Sequence, residues 1–317
     1  MNASIKRSDK SAKAERSAPW FGLIEGGGTK FVCAIAQRPD SIRNRVVIET
    51  RDPGATVRDV VDYFRSASDE DISITRIGVA CFGPLTLDLA SNDYGTIVAT
   101  SKTNWSGFNI RSALETSLDV PVAIDTDVNG ALLGEAAYGA GKGFRNLVYI
   151  TVGTGIGGGV MIDGRVVYGQ SHPEIGHTLA PCEPEDAAFD GVCAFHGSAC
   201  FEGVASGPAI SARWGTSAEG LPPEHPAFDL EARYLAKLCV NLTHTIAPAR
   251  IILGGGVMNN TQIIGLVRKY FFEMHNAYGG LHAAQGDVEG YIVTAALMND
   301  AGILGAYEIA KNMDVDH

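Results

Sequence analysis

With 317 residues, a net charge of −11 at pH 7 and no clustering of its basic residues, the chain is long enough for two domains with substantial cores and ill suited to nucleic acid or an anionic membrane as partner. No apolar run approaches the ~20 residues of a spanning helix, and the opening MNASIKRSDKSAKAERSAP lacks the apolar stretch of a signal peptide, so the cytoplasm is the expected compartment. Residues 1–19 are polar and mixed in charge, which predicts a disordered tail.

Phe21 to Ala36 reads FGLIEGGGTKFVCAIA. A strand from Gly22 to Glu25 meets Gly26, Gly27 and Gly28, and after Thr29 and Lys30 a second strand runs from Phe31 to Ala36, which predicts a hairpin with a glycine-rich tip. A helix is expected near Val57 to Ser66, then a buried strand at Ile77 to Phe82, a sharp Gly83-Pro84 turn and a loop holding Lys102, Asn104 and Trp105. Asn109 is placed to cap a helix at Ile110 to Ser117.

The stretch PVAIDTDVNGALLGEAAYG, from Pro121 to Gly139, organises the rest of the chain. An apolar strand, Val122 to Ile124, ends in Asp125-Thr126-Asp127, and helical spacing puts Val128, Ala131, Leu132 and Ala136 on one face. Asp127 therefore sits at a strand-to-helix corner, where capping is its plainer role. Tyr149 to Val152 then runs into Gly153-Thr154-Gly155-Ile156-Gly157-Gly158-Gly159, read as a loop whose backbone N–H groups can approach phosphate oxygens. Val160 to Ile162, an Asp163-Gly164 turn and Val166 to Tyr168 complete a second strand–glycine–strand unit, so a duplicated architecture is expected. Gly153, Gly155 and Gly158 spell G-x-G-x-x-G, but a dinucleotide fingerprint needs a helix directly after the glycines and this chain continues as a strand. The P-loop pattern is missing as well. A carboxylate base together with a phosphate cradle points to phosphoryl transfer.

Beyond a Pro-rich connector, Leu221 to Pro226, a long helix is expected from Leu230 to Ile246, then the strand Ile251 to Leu253 into Gly254, Gly255 and Gly256, and a helix from Gln262 to His275. This third glycine cluster suits either the adenosine or α-phosphate end of a nucleotide at a helix N-terminus or a close strand–helix contact. Alternating strands and helices give the α/β class. Cys33, Cys81 and Cys239 lie in apolar patterns and read as core residues. His177, Cys193, His196 and Cys200 have the mixture and spacing of a structural Zn²⁺ site, closing in C-x2-H-x3-C, with Cys182 as the alternative ligand. Four such ligands leave no open position for a hydrolytic water, which counts against a zinc hydrolase.

Seven segments, IEGGGTKF, CFGPLTLD, DTDVNGALLGE, TVGTGIGGG, HPEIGH, CFEGVASGPAI and ILGGGV, together resemble the ROK family of sugar kinases, nearest its bacterial fructokinases, from about Phe21 to Ala310. The resemblance implies a two-lobed actin-like, ribonuclease H-like ATPase fold with a central cleft. Its small lobe would be residues 20–128 plus a C-terminal helix at 300–317, and its large lobe residues 129–299. It implies ATP-dependent phosphorylation of a hexose, D-fructose first, because Thr126 stands where the family's glucokinases carry Asn; glucose or mannose is the alternative.

The resemblance makes Asp127 the general base. ATP would be held by Gly26, Gly27, Gly28, Thr29 and Lys30, by Thr154, Gly155, Gly157 and Gly158, and by Gly254, Gly255 and Gly256, with Mg²⁺ near Glu25. The sugar would be read by Glu174, His177 and Glu202, with Asn104 and Gly83 contributing. A homodimer is the expected assembly. The family also contains sugar-responsive repressors, whose N-terminal helix-turn-helix the residues before Trp20 are too few and too polar to form.

Overall fold

The computed structural model describes residues 18–68, 72–98, 100, 102, 104–278 and 287–313. Most of the expected tail, and the end of the expected C-terminal helix segment, lie outside them. The chain divides into two compact units, one ending at Gly130 and resuming at Ile303, the other Ala131–Gly302.

In the first unit, β1 (Trp20–Gly26), β2 (Lys30–Ala36), β3 (Arg43–Glu49), β4 (Ile74–Cys81) and β5 (Val122–Thr126) form one sheet in the order β3-β2-β1-β4-β5. β1 pairs antiparallel with β2 and β2 with β3, whereas β1–β4 and β4–β5 are parallel. The edge strand β3 was not expected: most of its residues are exposed and only Ile48 is buried, so it lacks the alternation that marks a half-buried strand. Helix α1 (Pro53–Ala67) begins four residues before the expected Val57, because Asp52 caps it by accepting from the Ala55 N–H and Pro53 takes the first helical position. Helix α2 (Ile110–Leu118) starts where expected, with the Asn109 side chain accepting from the Ser112 N–H. The core is built around Trp105, Phe31 and Phe64, all about 1% exposed.

Helix α3 (Asp127–Tyr138) leads into the second unit, whose strands β6 (Leu147–Val152), β7 (Ile156–Ile162), β8 (Arg165–Val166), β9 (Arg250–Gly254) and β10 (Ile292–Thr294) run in the order β10-β9-β6-β7-β8. β6–β7 and β7–β8 are antiparallel, β6–β9 and β9–β10 parallel. Strand for strand this repeats the first sheet, as the two glycine-bearing hairpins suggested.

Between β8 and β9 lie α4 (Phe201–Ala205), α5 (Gly207–Trp214) and α6 (Pro226–Ile246). Pro226, read as connector, is the first residue of α6, and the His225 ring caps it by accepting from the Ala227 N–H. Beyond β9 come α7 (Ile263–His275) and α8 (Val288–Tyr291), and α9 (Ala301–Lys311) returns to the first unit, where its Ala306 carbonyl occupies the space a side chain at Gly78 would need. Cys33, Cys81 and Cys239 are buried, and burial pushes all three thiols above their ordinary range.

Candidate functional site

The first unit gathers its candidate residues on one edge of the sheet. Gly26 of β1, Cys81 of β4 and Thr126 of β5 stand side by side in register, so the hairpin tip Gly27–Thr29, the Gly83-Pro84 turn and Asp127 all emerge just past one row. The carboxyl ends of parallel strands are where open α/β sheets place ligands. The tip is held by Gly27 N–H to the Lys30 carbonyl at 2.8 Å, by the Thr50 hydroxyl to the Gly27 carbonyl at 2.8 Å and by Thr50 N–H to the Thr29 carbonyl at 3.0 Å. Glu25 is half-buried in β1, and Gly83-Pro84 is a cis bond. Asn104 is exposed, with φ 66°.

Asp127 is the first residue of α3, and the residue before it supplies the cap: the Thr126 hydroxyl accepts the Asn129 N–H at 3.1 Å, while Asp127 accepts the adjacent Val128 N–H at 2.9 Å. Beneath it the buried Asp125 carboxylate accepts from Thr126 N–H at 2.7 Å and from the Asn129 amide at 2.8 Å. Burial first, and the Asp127 charge second, push the Cys81 thiol up.

In the second unit the turn is shorter than the glycine run. Gly153 N–H bonds the Gly155 carbonyl at 2.9 Å and the Gly153 carbonyl accepts from Gly207 at the start of α5 at 2.8 Å, but Gly157 and Gly158 already lie in β7, opposite Thr151 and Ile150. Gly158 has a packing reason to lack a side chain, since a Cβ there would stand 2.7 Å from Ile175 Cδ1. The third cluster stands between β9 and α7. Gly255, at φ 91°, lets the chain pass close to Val152, and Gly256 opens a short 3₁₀ turn, Gly256–Asn259, ahead of α7, which begins at Ile263, one residue after the expected start.

Glu202, in the first turn of α4, joins two features that sequence reasoning kept apart. Its Oε2 accepts the Ile156 N–H at 3.2 Å, next to the Gly153–Gly155 turn, and its Oε1 lies 3.8 Å from His177 Nε2. The other nitrogen of that ring, Nδ1, is 3.7 Å from Cys193 Sγ and 3.8 Å from Cys200 Sγ, and His196 Nδ1 is 3.6 Å from Cys193 Sγ. All four ligand atoms lie within 4.8 Å of one another. A tetrahedral Zn²⁺ with Zn–S about 2.3 Å and Zn–N about 2.0–2.1 Å sets its ligands roughly 3.3–3.8 Å apart, so the donor set fits that ion. Without a cation, burial pushes the Cys200 thiol up to about 11. Cys182 is exposed, with its thiol on the Glu183 carbonyl, and stands outside the group. Glu174 precedes the 3₁₀ turn Ile175–His177 and is exposed, 3.5 Å from the buried His172. Arg213 braces the segment beneath by a bidentate bond to Asp186, both contacts 2.7 Å.

Residues 21–313 match the ROK family model, and the chain belongs to the ROK family. It is 41% identical to the fructokinase of Zymomonas mobilis over 92% of this chain and 96% of that protein, and 38% identical to the fructokinase of Lactococcus lactis over 93% and 98%. The crystal structure of a ROK hexokinase from Thermus thermophilus shares its fold, with a TM-score of 0.75 at 24% identity over 94% of this chain and 100% of that one.

Proposed function

We infer that the chain is an ATP-dependent hexose kinase that converts D-fructose to fructose 6-phosphate. The identity of 38 to 41% to proteins named fructokinase, over nearly their whole length, carries the acceptor. Asp127 takes the proton of the sugar hydroxyl as its oxygen attacks the γ-phosphorus, and the bond to ADP breaks. The register row that sets Asp127 level with the Gly27–Thr29 tip supports this, as does the cap that Thr126 supplies to α3. Backbone N–H groups of the two glycine turns hold phosphate oxygens.

Glu174, His177 and Glu202 read the sugar hydroxyls, which both donate and accept and so select a fixed pattern of partners. Mg²⁺ near Glu25 would neutralise phosphate charge. His177, Cys193, His196 and Cys200 hold Zn²⁺ as a structural ion, and Glu202, facing the outer nitrogen of His177, orients that ligand. None of the six cysteines is in a disulfide, which suits the reducing cytoplasm. Release of ADP across a panel of hexoses with ATP and Mg²⁺ tests the reading: fructose is expected to give the highest kcat/KM, and glucose far above fructose would overturn the acceptor while leaving the kinase.

A further inference from the structure

Lys102 is not part of either glycine turn, yet its side chain lies over the first. A methyl group added at Gly28 would stand 2.8 Å from Lys102 Cε and 3.2 Å from Nζ. A fixed side chain follows Lys102 closely in the sequence. Trp105, three residues on, is 1% exposed, donates its indole N–H to the Arg51 carbonyl at 2.8 Å and stacks on Phe31 with ring centres 5.7 Å apart. Phe31 follows directly on Lys30 at the base of the same hairpin, and Thr50, one residue before Arg51, binds both ends of the tip. Trp105 and the glycine turn are thus held by one piece of structure.

Lys102 is half-buried and, among the described residues, is paired with no carboxylate. A partly desolvated ammonium without an acidic partner calls for an anion, the more so in a chain of net charge −11. The anion that belongs beside a glycine tip level with Asp127 is phosphate.

We propose that the Lys102 ammonium grips the phosphoryl group during its transfer, a role that rests on the kinase reading above. As the sugar oxygen bonds to phosphorus and the P–O bond to ADP breaks, the hydroxyl proton passes to Asp127 and the electrons of the broken bond leave with ADP. Lys102 gains and loses no proton. It donates N–H bonds to the peripheral phosphoryl oxygens, whose charge it balances through the transition state and in the sugar phosphate formed. Gly28 is then glycine for a second reason, since a side chain there would displace the lysine.

Lys102→Met keeps the stem and removes the charge. It should lower kcat with fructose roughly 10²–10³-fold, by analogy with deleting one transition-state donor, and change KM for fructose much less. Lys102→Arg should recover part of kcat. Calorimetry supplies a readout free of turnover: Lys102→Met should weaken fructose 6-phosphate about tenfold or more while leaving fructose affinity unchanged. Unimpaired kcat in Lys102→Met overturns the proposal. So does loss of fructose affinity with kcat intact at saturation, which would make Lys102 a sugar ligand. If the wild-type protein transfers phosphate from ATP to no hexose, the kinase reading itself falls; an active wild type with an unimpaired variant sinks the lysine alone.

Discussion

β5 and β10 hold the same place in their sheets, each at an edge and parallel to its neighbour, but β5 runs into Asp127 whereas β10 runs into Ala295 and Ala296. The two hairpins differ in a similar way. The tip after β1 lies under the Lys102 ammonium, and the turn after β6 lies against the Glu202 carboxylate. A repeated frame therefore delivers two glycine turns with their backbone N–H groups, while the charge beside each comes from whatever segment was inserted between the strands. In the first unit that segment is the β4–β5 connection with Trp105. In the second it is the long β8–β9 connection with the His/Cys group.

The largest expected effect breaks the comparison at its unique carboxylate. Asp127→Asn should lower kcat roughly 10²–10⁴-fold while fructose binding persists. Because Thr126 caps α3, the melting temperature should hardly move. A variant with near-normal kcat would return Asp127 to a purely structural role.

Next comes the metal group. Protein purified without added metal should contain about one equivalent of zinc, and Cys193→Ser should lose most of it. Since Glu202 Oε1 lies 3.8 Å from His177 Nε2, that loss should raise KM for fructose more than KM for ATP. Less than about a tenth of an equivalent in fully active wild-type enzyme would remove zinc from the account.

Two matched glycine variants sharpen the contrast between the turns. In Gly155→Ala the new methyl would stand 2.5 Å from Glu202 Oε2, and in Gly28→Ala 2.8 Å from Lys102 Cε. Displacing the carboxylate should raise KM for fructose, and displacing the ammonium should lower kcat, each roughly 10- to 100-fold, as an ångström of misplacement does in active sites. The same kinetic signature from both variants would mean that the turns are chemically alike after all.

The smallest effect lies away from both turns. Glu231 of α6 is buried with Oε1 unpartnered, and burial holds its carboxyl well above the ordinary range, only partly opposed by Arg213. The folded state then binds more protons than the unfolded one, so stability falls as pH rises from about 4.3, the unfolded carboxyl value, toward the raised folded value. Glu231→Gln cannot lose a proton. Its melting temperature should diverge upward from that of wild type as pH rises above about 4, with kcat unchanged, and parallel curves would contradict this origin.

Local signals in the sequence determined the strands β1, β2, β4, β6 and β9, the cap at Asn109 and the glycine stops, the α/β class and the family motifs in order. The His/Cys spacing did the same for a group that the fold gathers within 4.8 Å. Each depends on neighbours within a turn or two, where periodicity and capping act. Tertiary structure alone decided that β3 fills an edge, that Gly157 and Gly158 pair inside a strand rather than forming a loop, and that Thr126 caps α3. It alone brought Lys102 to Gly28, 74 residues away, and Glu202 to Ile156, 46 residues away. Those meetings depend on strand register and on which side chain a missing Cβ admits, and neither quantity is carried by any short stretch of the chain.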